Sequence, residues 1–476
     1  MQMPSRFSPR TLTLRCLVPA LVLAGLLALP AFAAALPQPT LLMTTGGSGN
    51  KKETVASDLY SVDPATAATA SRGGTGFAIT GLAQDPTTGI LYGVSNAKSP
   101  IAPKTLLTID PATGGATQVG PLGLIIADIS FDSQGRLFGW SEENDQLASI
   151  DKTTGAATEI GSNEIGTYGS GSAFDINDTY WLFPEGEGGG LSGSEEEGGY
   201  FTIDTATGKP TFRGKLTPLD ENRSSISAAA FDCARTSVFA TVNNFGEPPA
   251  NLVTIDTATG ALANKGTLPN GADGLEWYCP LAFEFTTPTI KVAAKKQTLT
   301  IPIVRGPRIK GAASVNFATV PGSAKSGADF AAAAGTLGFA NNLSQGALTI
   351  GIKGNPKAGK NVKFQVALSS PAAGGTVGAP VQVTILAAKP KPAKIKGPKQ
   401  TSAERVVFKL RSAQLPARFR CKLDKGKFKG CGKNGKKGKK YKTPALEPGK
   451  HKLVVQVVNG AGKKSKPVKK LFTVLP

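Results

Sequence analysis

Histidine is almost missing: the 476 residues hold one, His451. Residues 1–450 therefore lack the usual general base, and a zinc site would have a single histidine to draw on. No G-x-S-x-G elbow, H-E-x-x-H pair or Walker loop occurs, so the motifs of serine hydrolases, zinc peptidases and nucleotide hydrolases are excluded. Beyond the first 35 residues no apolar run reaches the roughly 20 residues a spanning helix needs. Acidic residues are scarce in one part only. Residues 286–476 contain Asp329, Glu404, Asp424 and Glu447 against 38 lysines and arginines.

Residues 1–35 read as a secretory signal peptide. Arg6, Arg10 and Arg15 precede the apolar run CLVPALVLAGLLAL, and the small residues AFAAA follow it, with cleavage expected after Ala33 or Ala35. The expected mature protein is exported and extracellular, free or associated with the cell surface, with no membrane span. No sortase-type motif is present, so retention at a surface would be noncovalent. In an oxidising compartment four remaining cysteines favour disulfides over metal ligands. The ten-residue spacing makes Cys421 and Cys431 the natural local pair, which leaves Cys233 and Cys279 by elimination alone.

One phrase occurs five times: LYSVDPATAATASRG (59–73), LLTIDPATGGATQVG (106–120), LASIDKTTGAATEIG (147–161), YFTIDTATGKPTFRG (200–214) and LVTIDTATGALANKG (252–266). Each reads as strand, turn, strand. Aspartate accepts local backbone hydrogen bonds, and proline and glycine suit the turn's φ values. The aspartates Asp63, Asp110, Asp151, Asp204 and Asp256 are therefore read as turn formers rather than as catalytic acids. Between the copies lies a second recurring phrase, an apolar strand followed by an aromatic one: ITGLAQDPTTGILYGV, IADISFDSQGRLFGW, SAFDINDTYWLF and AAAFDCARTSVFATV, with a degenerate copy in GADGLEWYCPLAFEF (271–285). Two hairpins per period of 41–53 residues make one propeller blade. The first copy lacks a preceding partner phrase and the last partner phrase lacks a following copy, so the two ends complete each other. Five blades result, or six if a strand around Leu41–Thr44 belongs to another. This region resembles extracellular bacterial propellers built from Y-x-I-D-x-x-T-G repeats.

Residues 283–388 alternate like sandwich strands. The phrases IPIVRG, ASVNFATVPGSAKSGADF, AAGTLGFA and VKFQVALSSPAAGGTVG resemble a Calx-β domain along nearly its full length. The resemblance implies a calcium site built from clustered carboxylates. Of these only Asp329 remains, and GNPKAGKNVKFQVAL stands where the acidic run is expected, so calcium is disfavoured and no cofactor is implied. KPKPAKIKGPK (389–399) reads as an extended linker. The last segment, with Phe419, Cys421, Leu423, Asp424, Cys431, Leu446, Gly449, His451, Val455, Ala461 and Gly462 in pattern, resembles small immunoglobulin-like modules of secreted bacterial proteins. There His451 is expected to be a strand residue at the end of a turn.

The sequence therefore predicts an all-β protein. A signal peptide (1–35) precedes a β-propeller of about five blades (36–282), and two β-sandwich domains follow. These are a Calx-β-like sandwich (283–388) and, after a Lys/Pro linker (389–399), a basic Ig-like domain (400–476), the two extending from the propeller as a stalk. Charge separates them: 13 basic against 29 acidic residues over 36–285, but 27 against 3 over 389–476. Such a field attracts polyanions. The lysine pairs Lys436–Lys437, Lys439–Lys440, Lys463–Lys464 and Lys469–Lys470 are the candidate contacts. Lysine point charges suit nonspecific contact, so no specific nucleic acid is expected. The expected function is that of a secreted, non-enzymatic binding or adhesion protein of the cell envelope or extracellular matrix. Its basic module would contact an anionic envelope polymer or extracellular polyanion, with other surface proteins or glycans as further partners. The alternatives are a calcium-binding Calx-β matrix protein and a carbohydrate-active propeller hydrolase, since five-bladed glycosidases place carboxylates at the channel mouth.

Overall fold

The computed structural model describes residues 38–46, 55–161, 165–167, 170–184, 199–218, 224–244, 250–354, 359–372, 374–413, 417–434 and 438–476. The signal-peptide reading lies outside these residues. All regular structure among them is β, arranged in nine sheets. No helix among them is long and apolar enough to cross a membrane.

Five four-stranded antiparallel sheets form the propeller. The inner strands are Leu275–Tyr278 in blade 1, Ile79–Gln84 in blade 2, Ile126–Phe131 in blade 3, Ser170–Phe174 in blade 4 and Ser224–Phe231 in blade 5. The repeated D-x-x-T-G turns join the two outer strands of each blade. In every copy the aspartate Oδ1 accepts the N–H two residues on, at 2.7–2.8 Å. The glycine that ends the turn serves the next level of structure. Gly155, Gly208 and Gly260 have φ between 72° and 85°, and a Cβ there would lie 2.1–2.3 Å from a carbonyl oxygen of the preceding blade's outer strand. Turn glycine and blade packing are thus one requirement. Blade 1 meets it differently, with Ala67 in the turn at φ 59° and Gly266 opposite it.

The ring closes in blade 1. Leu275–Tyr278 pairs with Thr40–Thr44, Met43 facing Leu275 and Leu41 facing Trp277, and Asp58–Val62 and Thr69–Gly74 complete the sheet. The strand at Leu41–Thr44 is therefore the second strand of blade 1, and the ring has five blades, not six. This corrects the reading of 271–285 as a whole hairpin. Leu281–Phe285 leaves the propeller and pairs with Gln297–Pro307 of the following sandwich. The reason is geometric: the place beside Leu275–Tyr278 is taken by the N-terminal strand. Cys233, after the inner strand of blade 5, is bonded to Cys279, just past the inner strand of blade 1.

The middle sandwich packs a four-stranded sheet against a five-stranded one. Alternation drives it: Leu299, Ile301 and Ile303 point inward while Thr298, Thr300 and Pro302 face out. Leu281, Phe283, Phe330 and Phe364 fill the core, Phe330 stacked on Phe364 at 4.1 Å. This sandwich is not a detached stalk segment. Its turn at 308–311 seats on the propeller, where the Lys310 ammonium donates to the Phe131 carbonyl, and Asn342 Nδ2 donates to the Ile176 carbonyl at 2.8 Å.

The C-terminal sandwich has a three-stranded sheet (Lys394–Lys396, Val407–Arg411, Lys439–Lys442) and a five-stranded one (Gln400–Thr401, Val468–Val474, Gly449–Asn459, Ala417–Leu423, Lys429–Lys433). Phe408, Leu410, Phe419, Leu453, Val455 and Phe472 lie between them. The expected linker is partly structural, because Ala393 is buried and Ile395 packs on this core, pulling Lys394–Lys396 into the sheet. Cys421 and Cys431 are bonded across the hairpin.

The bond between Cys233 and Cys279 spans 46 residues and ties two neighbouring blades at the point of closure. On chain entropy, Cys233→Ala with Cys279→Ala should cost about 4 kcal/mol. Thermal unfolding of the double variant beside the unaltered protein measures it. An unchanged propeller transition would mean that strand pairing alone holds the ring shut.

Candidate functional site

Two places concentrate charge: the propeller axis and the C-terminal sandwich. The axis is lined by the unpaired edges of the five inner strands, and their N–H and C=O groups need partners. Polar side chains supply them. Asp128, fully buried, reaches across the axis so that its Oδ2 accepts the N–H groups of Ser172 (2.9 Å) and Ala229 (3.2 Å), while Oδ1 accepts that of Ile129. Ser130 Oγ accepts Phe174 N–H at 3.1 Å, and Glu276 Oε1 accepts Gln84 N–H at 3.2 Å. Arg235 donates to the Phe174 carbonyl at 2.7 Å, and Lys310 closes the same end from the sandwich.

This environment moves the titrations. Burial pushes Asp128 well above the ordinary carboxylate range, against the pull of its three N–H donors. Burial likewise raises Asp273, with the Glu142 and Asp128 charges adding to it, and raises Glu142 to about 7. At the other end burial raises Glu276 and lowers Lys310, whose ammonium lies 5.4 Å over the Phe174 ring. Sequence reading missed all of these residues. The available signal was a lone charge inside an apolar strand, as in I-I-A-D-I-S-F around Asp128. Asp128 and Glu276 accept hydrogen bonds from backbone donors of the inner strands.

Asp329 stands in a turn of the middle sandwich, 5% exposed, with its Oδ2 accepting Lys325 N–H at 2.8 Å. Calcium takes six to eight oxygen ligands, several of them carboxylates. A single buried carboxylate held by a turn does not fit that ion. Among the described residues no group of three or more histidine, cysteine, aspartate or glutamate side chains could hold a metal.

The C-terminal sandwich has a different character. Lys399, Lys425, Lys450, Lys452, Lys469 and Lys470 line an open trough along its five-stranded sheet. Asp424 is the acid beside them, and it is engaged: Oδ1 accepts Lys452 N–H at 2.7 Å and Oδ2 meets His451 Nδ1 at 2.9 Å. His451 Nε2 lies 2.9 Å from the Glu447 carbonyl oxygen, so both ring nitrogens face acceptors. Only the imidazolium donates to both. Its pKa is accordingly raised, chiefly by the Asp424 hydrogen bond. The histidine stacks on Phe472, on the strand face opposite Lys450 and Lys452, and lines the end of the trough.

The lysines expected from sequence do not form one cluster. Lys469 and Lys470 are in the trough, with Lys470 set opposite Leu453. Lys439 and Lys440 belong to the three-stranded sheet, and Lys463 and Lys464 to the turn after Asn459. Lys436 and Lys437 lie outside the described residues. Sequence reading overlooked Lys399, Lys425, Lys450 and Lys452 because pairs of adjacent lysines drew the eye. Adjacent strand residues point to opposite faces, whereas Lys450 and Lys452 share one.

Comparison with known proteins places the middle sandwich: the Calx-beta domain family is matched over residues 280–391. The chain is similar to the apo-form Calx CBD1 domain at 23% identity, over 22% of this chain and 96% of that one, with a TM-score of 0.22. It is similar to TolB from Acinetobacter baumannii at 11% identity, over 72% of this chain and 66% of that one, with a TM-score of 0.30. The extracellular domain of a hybrid two component system from B. thetaiotaomicron is similar at 12% identity, over 92% and 48% of the two chains, with a TM-score of 0.23. No curated protein matches.

Two outcomes check this geometry. Asp128→Ala leaves three inner-strand N–H groups, of Ile129, Ser172 and Ala229, without that acceptor and should lose roughly 2–5 kcal/mol of propeller stability. Asp128→Asn, which keeps one acceptor oxygen, should lose less, and chemical denaturation compares them. For His451 the sign follows from a raised pKa: its charge is complete below the ordinary value near 6.5 and is lost as pH rises through the raised one. Affinity for a polyanion should fall across that interval, and His451→Gln should flatten the profile.

Proposed function

We propose that this chain is an exported, non-catalytic binding protein of the cell envelope or extracellular matrix, held to anionic polymer by its C-terminal sandwich. The observation that carries the reading is the trough of six lysines and His451, where Asp424 is taken up by His451 and the Lys452 N–H. Such a surface offers ammonium groups without a fixed fork geometry, which suits charge recognition over sequence reading.

Export is supported by two disulfides and by the signal-like N-terminal sequence. A binding role is supported by the Calx-beta match. The hydrolase alternative needs free carboxylates at the channel; Asp128 and Glu276 accept backbone hydrogen bonds there, which leaves Asp273 and Glu142 for that reading. The calcium-matrix alternative needs a donor set that Asp329 alone does not provide.

The test is affinity of the full mature chain for duplex DNA, used as a polyanion of known charge density, from 50 to 300 mM salt. Counterion release gives a log–log slope of about −0.9 per phosphate contacted, so about −5 if six lysines engage. Each Lys→Gln change in the trough should reduce that slope by about 0.9. A flat salt response, or equal affinity for a neutral glycan, would make the lysines a solubilising coat.

A further inference from the structure

The three-stranded sheet of the same sandwich carries its own cations. Strand register sets Lys396 opposite Lys409 and Lys409 opposite Lys440, so three lysines stand in one row across the sheet. Lys394 stands opposite Arg411, and Lys442 opposite Val407. All six cations are exposed, while Phe408 and Leu410 on the central strand point into the core. These strands contain no aspartate or glutamate, and none of the six cations is ion-paired among the described residues.

That row is costly to fold. Neighbouring strands are about 4.8 Å apart, and like charges directly opposite one another destabilise a sheet. A solubilising surface has no use for the arrangement, since interspersed lysine and glutamate keep a protein soluble without the repulsion. Anions laid along the row remove it. Side chains two apart on one strand repeat about every 7 Å, so the face presents a lattice of positive charge at 5–7 Å spacing. A flexible linear polymer with closely spaced anionic groups matches that lattice.

The trough lies on the other sheet. Packed sheets are about 10 Å apart, and lysine stems on opposite outer faces hold Lys409 and Lys440 roughly 20 Å or more from Lys450 and Lys452, while Lys399, three residues after Lys396, marks where the two sets come nearest. Charges are screened beyond about 8 Å at physiological ionic strength. The two faces therefore act as separate sites. One polymer chain can occupy the trough while another occupies the three-stranded sheet.

We propose that the C-terminal sandwich is a bivalent cross-linker, with one site on each sheet, that bridges two strands of a linear polyanion. The proposal rests on the polyanion reading above and adds the second site and the bridging. Titration calorimetry of the full mature chain with a short oligophosphate should find two sites per chain. With long-chain polyphosphate, light scattering should rise to a maximum at intermediate ratios and fall when either partner is in excess.

Two variants separate the faces: Lys396→Gln with Lys409→Gln and Lys440→Gln, and Lys450→Gln with Lys452→Gln and Lys469→Gln. Each should keep one oligophosphate site and lose at least about tenfold of the scattering maximum, since a one-sited binder cannot link strands. The first should also melt at a higher temperature than the unaltered protein, because it relieves the opposed row. One site per chain in the unaltered protein, or scattering that survives either variant, overturns the bridging while leaving polyanion binding in place. No binding of oligophosphate at all overturns both.

Discussion

Five sheet edges meet at the propeller axis, and the need to satisfy their backbone groups governs the rest of that domain. Each unmet buried N–H or C=O costs about 1–3 kcal/mol, and a ring of inner strands exposes many of them. The chain answers with side chains. Asp128 serves two neighbouring blades at once, Ser130 and Glu276 serve one each, and Arg235 and Lys310 donate to carbonyls. Because Lys310 comes from the middle sandwich, that sandwich completes the propeller's interior. Burial of acids at the axis follows from the same need, and so do their raised pKa values.

Much of this architecture was legible in the residues. The D-x-x-T-G turns carry their own hydrogen-bond logic, and a local signal of that kind survives whatever the tertiary context is. Ring closure was legible too, from complementary ends, though Leu281–Phe285 was drawn into the wrong sheet because its alternation suits either. Lys310 and Asp128 were not legible. Their roles depend on which edge they meet, and that is set by contacts between residues as far apart as Phe131 and Lys310. The trough was half legible: charge density announced it, but face assignment needs strand register, which places Lys450 and Lys452 together and sends Lys440 to the other sheet.

Charge is divided between the modules in a way that suits this reading. On the proposed reading, the propeller's excess of acid would repel the polymer that the lysines attract.

The position of Cys279 has a mechanical consequence. A pull transmitted from the sandwiches travels back along the backbone through Leu281 and reaches Cys279 before it reaches the closing strand Leu275–Tyr278. There the covalent bond to Cys233 diverts the load into the neighbouring blade. The hydrogen-bonded seam between Thr40–Thr44 and Leu275–Tyr278 lies behind that bond. Tension on the chain would thus be shared with a covalent strap from one blade to the next.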